Sequence, residues 1–311
     1  MNSCNRRGLN MRAALVFATL ALAASAAQAV DFDQLKKLGE KLKPPAAQQA
    51  PAQAGPSGAA PMPVIPPFGE VPEADEVKIG RQIAGNLLGA APLVNDASLQ
   101  RYVNRVGRWV ALTSERPDLK WTFGVIASDD VNAFATPGGY IFITRGLYRL
   151  LRDESELAGV LGHEVGHVVR KHHLKLLQQS QVIGAGSELL KKQLGGGKTA
   201  QGLIGSGAEI VARGLDKGAE FEADRIGVVL AARAGYDAYG LASVLQEIGH
   251  ISGADSSVAL LFKTHPHPDE RLARLGEAMG EHFDRLKDGK SLKERMVRPA
   301  TIATTKPADS R

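Results

Sequence analysis

Two histidines and a glutamate stand close together in an otherwise apolar segment of the chain. The stretch 159–170 reads GVLGHEVGHVVR and places His163 and His167 four residues apart, with Glu164 beside the first histidine. Residues at i and i+4 of an α-helix share one face, so both imidazoles can bind the same metal ion. In this H-E-x-x-H arrangement the histidines hold zinc and the glutamate acts as general base. The surrounding valines favour a buried helix over a surface helix with solvated histidines, because buried imidazoles need partners.

A second acidic pair can complete the metal site. Catalytic zinc usually has three protein ligands, so two histidines leave it one short. The segment 220–224 reads EFEAD and places Glu220 and Asp224 on one helix face. Glu220 can complete a His₂Glu site, and Asp224 can accept a hydrogen bond from a ligand histidine. An isolated acidic pair would indicate only a solvated helix face, but with the upstream motif it predicts about one Zn²⁺ ion per chain.

Four motifs in this order resemble the zinc metallopeptidases related to HtpX, BepA and the CAAX prenyl protease. They are NAFATPGGYIFITRGL, HEVGH, EFEADRIG and THPHPDERL, and the resemblance as a whole covers roughly residues 70–285. The resemblance implies an α+β, predominantly helical fold: a zincin-like metallopeptidase domain with a small β-sheet and the H-E-x-x-H helix at the active site. HtpX and the prenyl protease carry transmembrane helices, and BepA-like proteins add helical repeats. We recognise neither feature in the sequence, so we expect a periplasmic BepA-like member without the repeat domain.

The resemblance also implies a role for each matching residue. His163, His167 and Glu220 correspond to the zinc ligands, and Glu164 corresponds to the catalytic base. Asp224 corresponds to an aspartate next to the ligands that is sometimes assigned a proton-donor role.

His265 belongs to the T-H-P motif, and its role stays open. It either reaches the zinc and holds the resting enzyme inactive, or donates to the oxyanion of the reaction, or only shapes its loop. His172 is predicted to face away from the metal, at the solvated end of the helix, because it lies about half a turn from His163. No partner is predicted for three further histidines: His173, His250 and His267.

Hydrophobic periodicity predicts the elements around these residues. Helices are expected over residues 73–88, 96–112, 154–181, 217–234, 238–250 and 269–286, and strands over 121–127, 131–136 and 140–144. Asn132, Ala133 and Phe134 fall in a predicted edge strand, which can pair with an extended peptide substrate or simply end the sheet.

The rest of the chain predicts an exported protein. Residues 1–29 combine arginines, a short apolar run and an A-x-A site, which indicates a cleaved signal peptide that contains the only cysteine, Cys4. Residues 30–69 are expected to form a short helix and a Pro/Ala-rich linker, and residues 70–286 the metallopeptidase domain. The basic tail 287–311 is predicted to be disordered. The glycine-rich stretch 184–207 is predicted to be mobile and to act as a lid.

Composition restricts the partners. The formal net charge is +5, but lysines and arginines are scattered and not interleaved with aromatic residues, which argues against nucleic-acid binding. The same charge allows peripheral association with an anionic membrane surface, such as that of the outer membrane. The sequence does not indicate an oligomeric state.

The expected function is that of a zinc metalloendopeptidase in the periplasm. It would cleave unfolded or misassembled polypeptides, such as envelope or outer-membrane proteins, in protein quality control. An envelope chaperone or assembly factor that binds clients with little proteolysis is the alternative. A structural zinc module is disfavoured, because structural sites prefer four protein ligands and often use cysteines.

Overall fold

The computed structural model describes residues 65–66, 69–180, 214–283, 285–286, 289–300 and 302. By the contacts within the chain, the protein divides into two units, Met1–Ala59 and Ala60–Arg311. All the described residues belong to the second unit. The predicted signal peptide, residues 30–64 of the predicted helix and linker, and the glycine-rich stretch 184–207 lie outside the described residues.

Helices dominate the described residues, in agreement with the predicted α+β class. The helices are α1 (Glu73–Ala90), α2 (Ala97–Ala111), α3 (Arg145–Leu150), α4 (Glu154–Val169), α5 (residues 172–180), α6 (Lys217–Arg233), α7 (Gly240–Gly249), α8 (Ala259–Thr264) and α9 (Pro268–Phe283). The strands are β1 (Thr122–Ile126), β2 (Ala133–Thr136) and β3 (Tyr140–Thr144). Short 3₁₀ turns occupy Pro137–Gly139, Ser256–Val258 and Lys293–Arg295. No described helix is long and apolar enough to cross a membrane.

The three strands form one small sheet in the order β1-β3-β2. β1 runs parallel to β3, and β2 runs antiparallel to it with Ala135 opposite Ile141. Gly138 in the turn between β2 and β3 has φ 74°, and a Cβ there would lie 2.5 Å from the Cα of Val77 on α1. Glycine is therefore required at this turn. Because β2 is at the edge of the sheet, one of its sides is not paired with another described strand.

A close approach of α4 and α6 positions the chemistry. α4 is buried over almost its whole length. A Cβ on Gly162 of α4 would lie 2.8 Å from the carbonyl oxygen of Gly227, and a Cβ on Gly227 would lie 2.6 Å from the backbone nitrogen of His163. Glycine at both positions therefore lets the two helices touch backbone to backbone. As a result, the motif residues of α4 face the carboxylates of α6.

The predicted helix 154–181 is wrong as a single element, because it breaks after Val169. Lys171 adopts φ 57°, a left-handed conformation, and the chain turns before helix α5 begins. On α5, Leu174 and Leu177 are buried in a cluster that also contains Ile79 of α1. The burial of these apolar side chains stabilises the changed direction of the chain after Lys171. A lysine has no intrinsic preference for the left-handed backbone conformation of this turn.

Two predicted boundaries of the domain also need correction. Residues 289–300 do not form the predicted disordered tail, because Met296 is buried in the main core and Arg295 makes an ion pair of 3.0 Å with the buried Glu154. Arg298 donates to the carbonyl oxygen of Leu151. Ile65, inside the predicted linker, is completely buried. The sequence misses these contacts because Ile65 lies in a proline-rich stretch and Met296 in a short basic stretch, and neither stretch shows a helical or strand periodicity.

Candidate metal centre

The three predicted zinc ligands come together where α4 meets α6. The Nε2 atoms of His163 and His167 are 3.0 Å apart. Glu220 approaches both imidazoles, with Oε2 3.6 Å from Nε2 of His163 and Oε1 3.5 Å from Nε2 of His167. All three side chains are buried. The fold therefore directs three metal-binding groups at one point.

His265 reaches the same point from the end of α8. Its Nε2 lies 3.7 Å from Oε2 of Glu220. Its Nδ1 lies 2.9 Å from Oγ1 of Thr264, whose hydroxyl also lies 2.9 Å from the carbonyl oxygen of Leu260. If the Thr264 hydroxyl donates to Leu260, its oxygen accepts the Nδ1–H of His265. The Nε2 lone pair of His265 then faces Glu220.

Asp224, one turn after Glu220, orients His163. Its Oδ1 lies 2.8 Å from Nδ1 of His163. Arg271 of α9 binds the same carboxylate through two nitrogens, at 2.9 and 2.5 Å. Burial alone would raise the pKa of Asp224, but Arg271 and His163 outweigh it and hold this pKa far below its usual range. The ionised carboxylate accepts the Nδ1–H of His163, which leaves Nε2 free to bind a metal.

His172 does not face away from the metal, contrary to the prediction. The turn at Lys171 brings its buried imidazole back, so that its Nδ1 lies 2.9 Å from Nδ1 of His167. Its Nε2 lies 3.2 Å from a carboxylate oxygen of Glu222. If Nε2–H of His172 donates to Glu222, then Nδ1 of His172 accepts from His167 and leaves Nε2 of His167 free.

Sequence reasoning missed these two supporting residues, His172 and Arg271. Both lie in stretches that it had singled out, the end of the H-E-x-x-H helix and the THPHPDERL motif. What the sequence lacks is the long-range geometry that brings them to His167 and Asp224.

Glu164 lines the same cleft as His167, Glu220 and His265. Burial raises the pKa of Glu164 to about 8, although Arg271 opposes the shift. Burial likewise raises the pKa of Glu220 to about 8. A cation at the centre would favour the ionised form of both carboxyl groups.

The donors fit a metal ion. The four ligand atoms from His163, His167, Glu220 and His265 all lie within 4.8 Å of one another. Oε2 of Glu220 is buried without a hydrogen-bond donor among the described groups, and such an orphaned oxygen needs a partner. Burial lowers the pKa of each of the three histidines, which favours the neutral imidazole that a metal ligand must be. Nitrogen and carboxylate donors without sulfur suit zinc, among other divalent ions.

The predicted substrate strand borders the cleft in part. Ala133 and Phe134 of β2 line it beside Glu164. Asn132, by contrast, lies outside β2 and is completely buried, and its backbone is paired with Thr144. The strand that can face a substrate is therefore β2, which begins at Ala133.

The remaining histidines differ in their surroundings. His173 also lines the cleft, and its ring centroid lies 5.5 Å from that of His167. Burial lowers the pKa of His173 to about 4. His267 is half exposed and lies 3.5 Å from Asp269. His250 is exposed. Lys171, His172 and His173 are thus not the solvated helix end that the sequence predicts.

Comparison with known proteins assigns the family. Residues 97–279, more than half of the chain, match peptidase family M48. The chain belongs to this family. M48 membership confirms the resemblance to the HtpX and BepA group and the expected zincin-like fold. It is also consistent with a metal among the donors at the crossing of α4 and α6.

Several proteins that the chain resembles carry the names of proteases. The chain is 31% identical over 208 residues to the beta-barrel assembly-enhancing protease of Yersinia pestis, a match that covers 64% of this chain and 42% of the relative. It is 28% identical over 181 residues to the mitochondrial metalloendopeptidase OMA1 of Schizosaccharomyces pombe, covering 58% and 53%. It is 30% identical over 179 residues to the metalloprotease YcaL of Escherichia coli, covering 54% and 63%. The chain thus matches less than two thirds of each relative's length.

Proposed function

We propose that this protein is a zinc-dependent endopeptidase of the cell envelope that cleaves unfolded or misassembled proteins. The observation that carries the proposal is the convergence of His163, His167 and Glu220 at one point, with Glu164 lining the same cleft. Membership of a peptidase family supports hydrolysis of peptide bonds. The name of the Yersinia pestis relative supports a role in beta-barrel assembly, and the predicted signal peptide supports a periplasmic location.

The reaction needs a base, oriented ligands and an aligned substrate. A zinc ion at the centre supplies Lewis-acid activation of the scissile carbonyl group and of water. Glu164 takes a proton from the attacking water and delivers it to the leaving amine. Asp224 keeps Nδ1 of His163 protonated, so that its Nε2 faces the centre. The free side of β2, from Ala133, pairs with the extended substrate, which brings a peptide bond to the cleft.

The position of His265 supports an inhibitory role in the resting enzyme. Its imidazole stands among the donor atoms, where substrate and water must enter. Thr264 holds its Nδ1 and so keeps Nε2 directed inward. A substrate gains access when the loop that carries His265 moves aside. After this movement the same side chain can donate to the oxyanion, so both predicted roles are tested by one substitution.

A chaperone with little proteolysis is the alternative function. It does not require a general base beside three converging metal ligands. The buried Glu164, with its pKa raised to about 8, is costly to retain in a protein that only binds clients. A structural zinc module has no use for this carboxylate either, although His265 does supply a fourth donor.

Glu164→Gln tests the enzyme against the chaperone. The variant should keep zinc and its melting temperature but lose about 10²- to 10⁴-fold in casein or peptide cleavage, because the attacking water loses its base. His167→Ala is the matched control, since it should lose both zinc and activity. Cleavage by Glu164→Gln near the wild-type rate contradicts the proposed base. Client binding without cleavage by the zinc-loaded wild type favours the chaperone.

A further inference from the structure

A groove of mixed apolar and basic character lies far from the metal centre. It has a volume of about 770 Å³ and runs between the second half of α2, the turn after α6 and residues 290–295. Glu220 stands in the first turn of α6, and Ala234 in the groove follows its last residue. Fourteen residues of helix separate these two positions by about 20 Å. The groove is therefore separate from the proposed active site.

Trp109 and Leu112 are the exposed large hydrophobic residues of the groove. These side chains are 55% and 57% exposed, which is unusual for large hydrophobic residues in the described part of the chain. The indole N–H of Trp109 donates to the carbonyl oxygen of Ala234 at 2.9 Å. This bond fixes the ring at the surface and uses its only donor. An occupant of the groove therefore meets an apolar ring with no hydrogen bond to offer.

The charged part of the groove is entirely basic among the described residues. Arg105, Arg108, Lys290 and Arg295 line it, and no aspartate or glutamate does. Arg295 makes an ion pair with the buried Glu154 at 3.0 Å. For the other three cations, no ion pair with a carboxylate is found within the described ranges. Their positive charge is available to an anionic partner.

We infer that this groove docks the domain on an anionic phospholipid surface. Guanidinium and ammonium groups attract lipid phosphates, while an exposed tryptophan and leucine between them can enter the boundary between headgroups and acyl chains. The N–H of Trp109 is already bonded, so its ring suits the apolar boundary of a lipid surface better than it suits a peptide partner. A peptide would usually accept a hydrogen bond from the indole N–H. The inference does not depend on the proposed peptidase activity.

The two tryptophans of the chain provide the assay. Trp109 is exposed, whereas Trp121 is only 5% exposed, so a change in emission on docking reports Trp109. The full protein is titrated with vesicles of phosphatidylglycerol and phosphatidylcholine, with vesicles of phosphatidylcholine alone, and with inorganic phosphate. A blue shift is expected with the anionic vesicles only, accompanied by co-sedimentation. A blue shift with phosphate alone, or no shift with any vesicle, overturns the inference.

Charge substitutions test the location. Arg105→Gln with Arg108→Gln should weaken binding to anionic vesicles by about 25-fold, because each basic residue near such a surface contributes about fivefold. Lys78→Gln with Lys120→Gln removes the same charge at exposed positions outside the groove and should leave binding nearly unchanged. Circular dichroism and the rate of peptide cleavage should match wild type in both variants, which shows that they are folded.

Two further outcomes, one from the substitutions and one from a titration with polyglutamate, overturn the inference. Equal weakening by both pairs means that overall charge, and not the groove, attracts the membrane. A Trp109 blue shift with a polyglutamate peptide but not with vesicles assigns the groove to an acidic protein segment. Trp109→Phe separates the two components: co-sedimentation should persist in weakened form while the emission change disappears.

Discussion

Replacing His172 should weaken zinc binding, although His172 is not itself a proposed ligand. In the structure Nδ1 of His172 lies 2.9 Å from Nδ1 of His167 and holds that ligand in one orientation. His172→Phe keeps an aromatic ring of similar shape but removes the acceptor. The Nδ1–H of His167 is then left buried without a partner, or the proton moves to Nε2, the atom that must bind the metal.

The expected magnitude follows from these two consequences. A buried donor without a partner costs about 1–3 kcal/mol. Loss of the group that orients a metal-binding histidine lowers metal affinity by about 10- to 100-fold, which corresponds to about 1.4–2.8 kcal/mol. Glu222→Gln should have a smaller effect, up to about fivefold, because the Glu222 side chain is 39% exposed and its ion pair is partly screened by solvent.

The assay is competition for zinc with a chelator of known affinity, combined with thermal melting of the metal-free protein. His282→Phe, at an exposed position on α9, is the matched control and should bind zinc like the wild type. A zinc Kd for His172→Phe within twofold of wild type refutes the reasoning. A lowered melting temperature with an unchanged Kd would mean that His172 only stabilises the fold.

Three further predictions follow from the site. Asp224→Asn should lower zinc affinity about 10- to 100-fold. It should also lower the free energy of unfolding of the metal-free protein by up to about 3 kcal/mol, since Arg271 stays buried without its counter-charge. A zinc Kd and a melting temperature equal to those of the wild type would contradict this prediction. His265→Ala should raise basal proteolysis if the imidazole blocks the site, or lower kcat at constant zinc content if it stabilises the oxyanion; an unchanged rate excludes both roles. Burial raises the pKa of Glu164 and Glu220 from 4.5 to about 8. Between these pH values the folded metal-free protein therefore binds more protons than the unfolded chain. The contribution of the two carboxyl groups to the stability of the metal-free protein falls as pH rises through this window. Zinc needs ionised Glu220, so the zinc-induced rise in Tm should grow over the same pH range; a pH-independent rise would contradict this.

The strands and most helices could be predicted because their signals are local. Tyr140–Thr144 is a strand with the predicted bounds, and Asp96 and Asp153 lie just before α2 and α4 and accept hydrogen bonds from the first-turn N–H groups of those helices. Two short helices, α3 and α8, were not predicted, since six residues show too little periodicity to separate a helix from a turn.

The sequence by itself determined the core of the candidate metal centre. The spacing of His163 and His167 is set by the helical repeat, and the same repeat places Glu220 and Asp224 on one face of α6. These relations hold within four residues, so they do not depend on the rest of the fold. Glu164 follows from its place inside the motif.

Only the tertiary structure decided what surrounds these residues. His172 returns to His167 because the chain turns at Lys171, and this turn is stabilised by the packing of α5 against α1. Arg271 and His265 reach the centre from segments distant in sequence. Such contacts depend on how helices pack, and packing follows from the shape and burial of many side chains at once. No local pattern in the sequence contains that information.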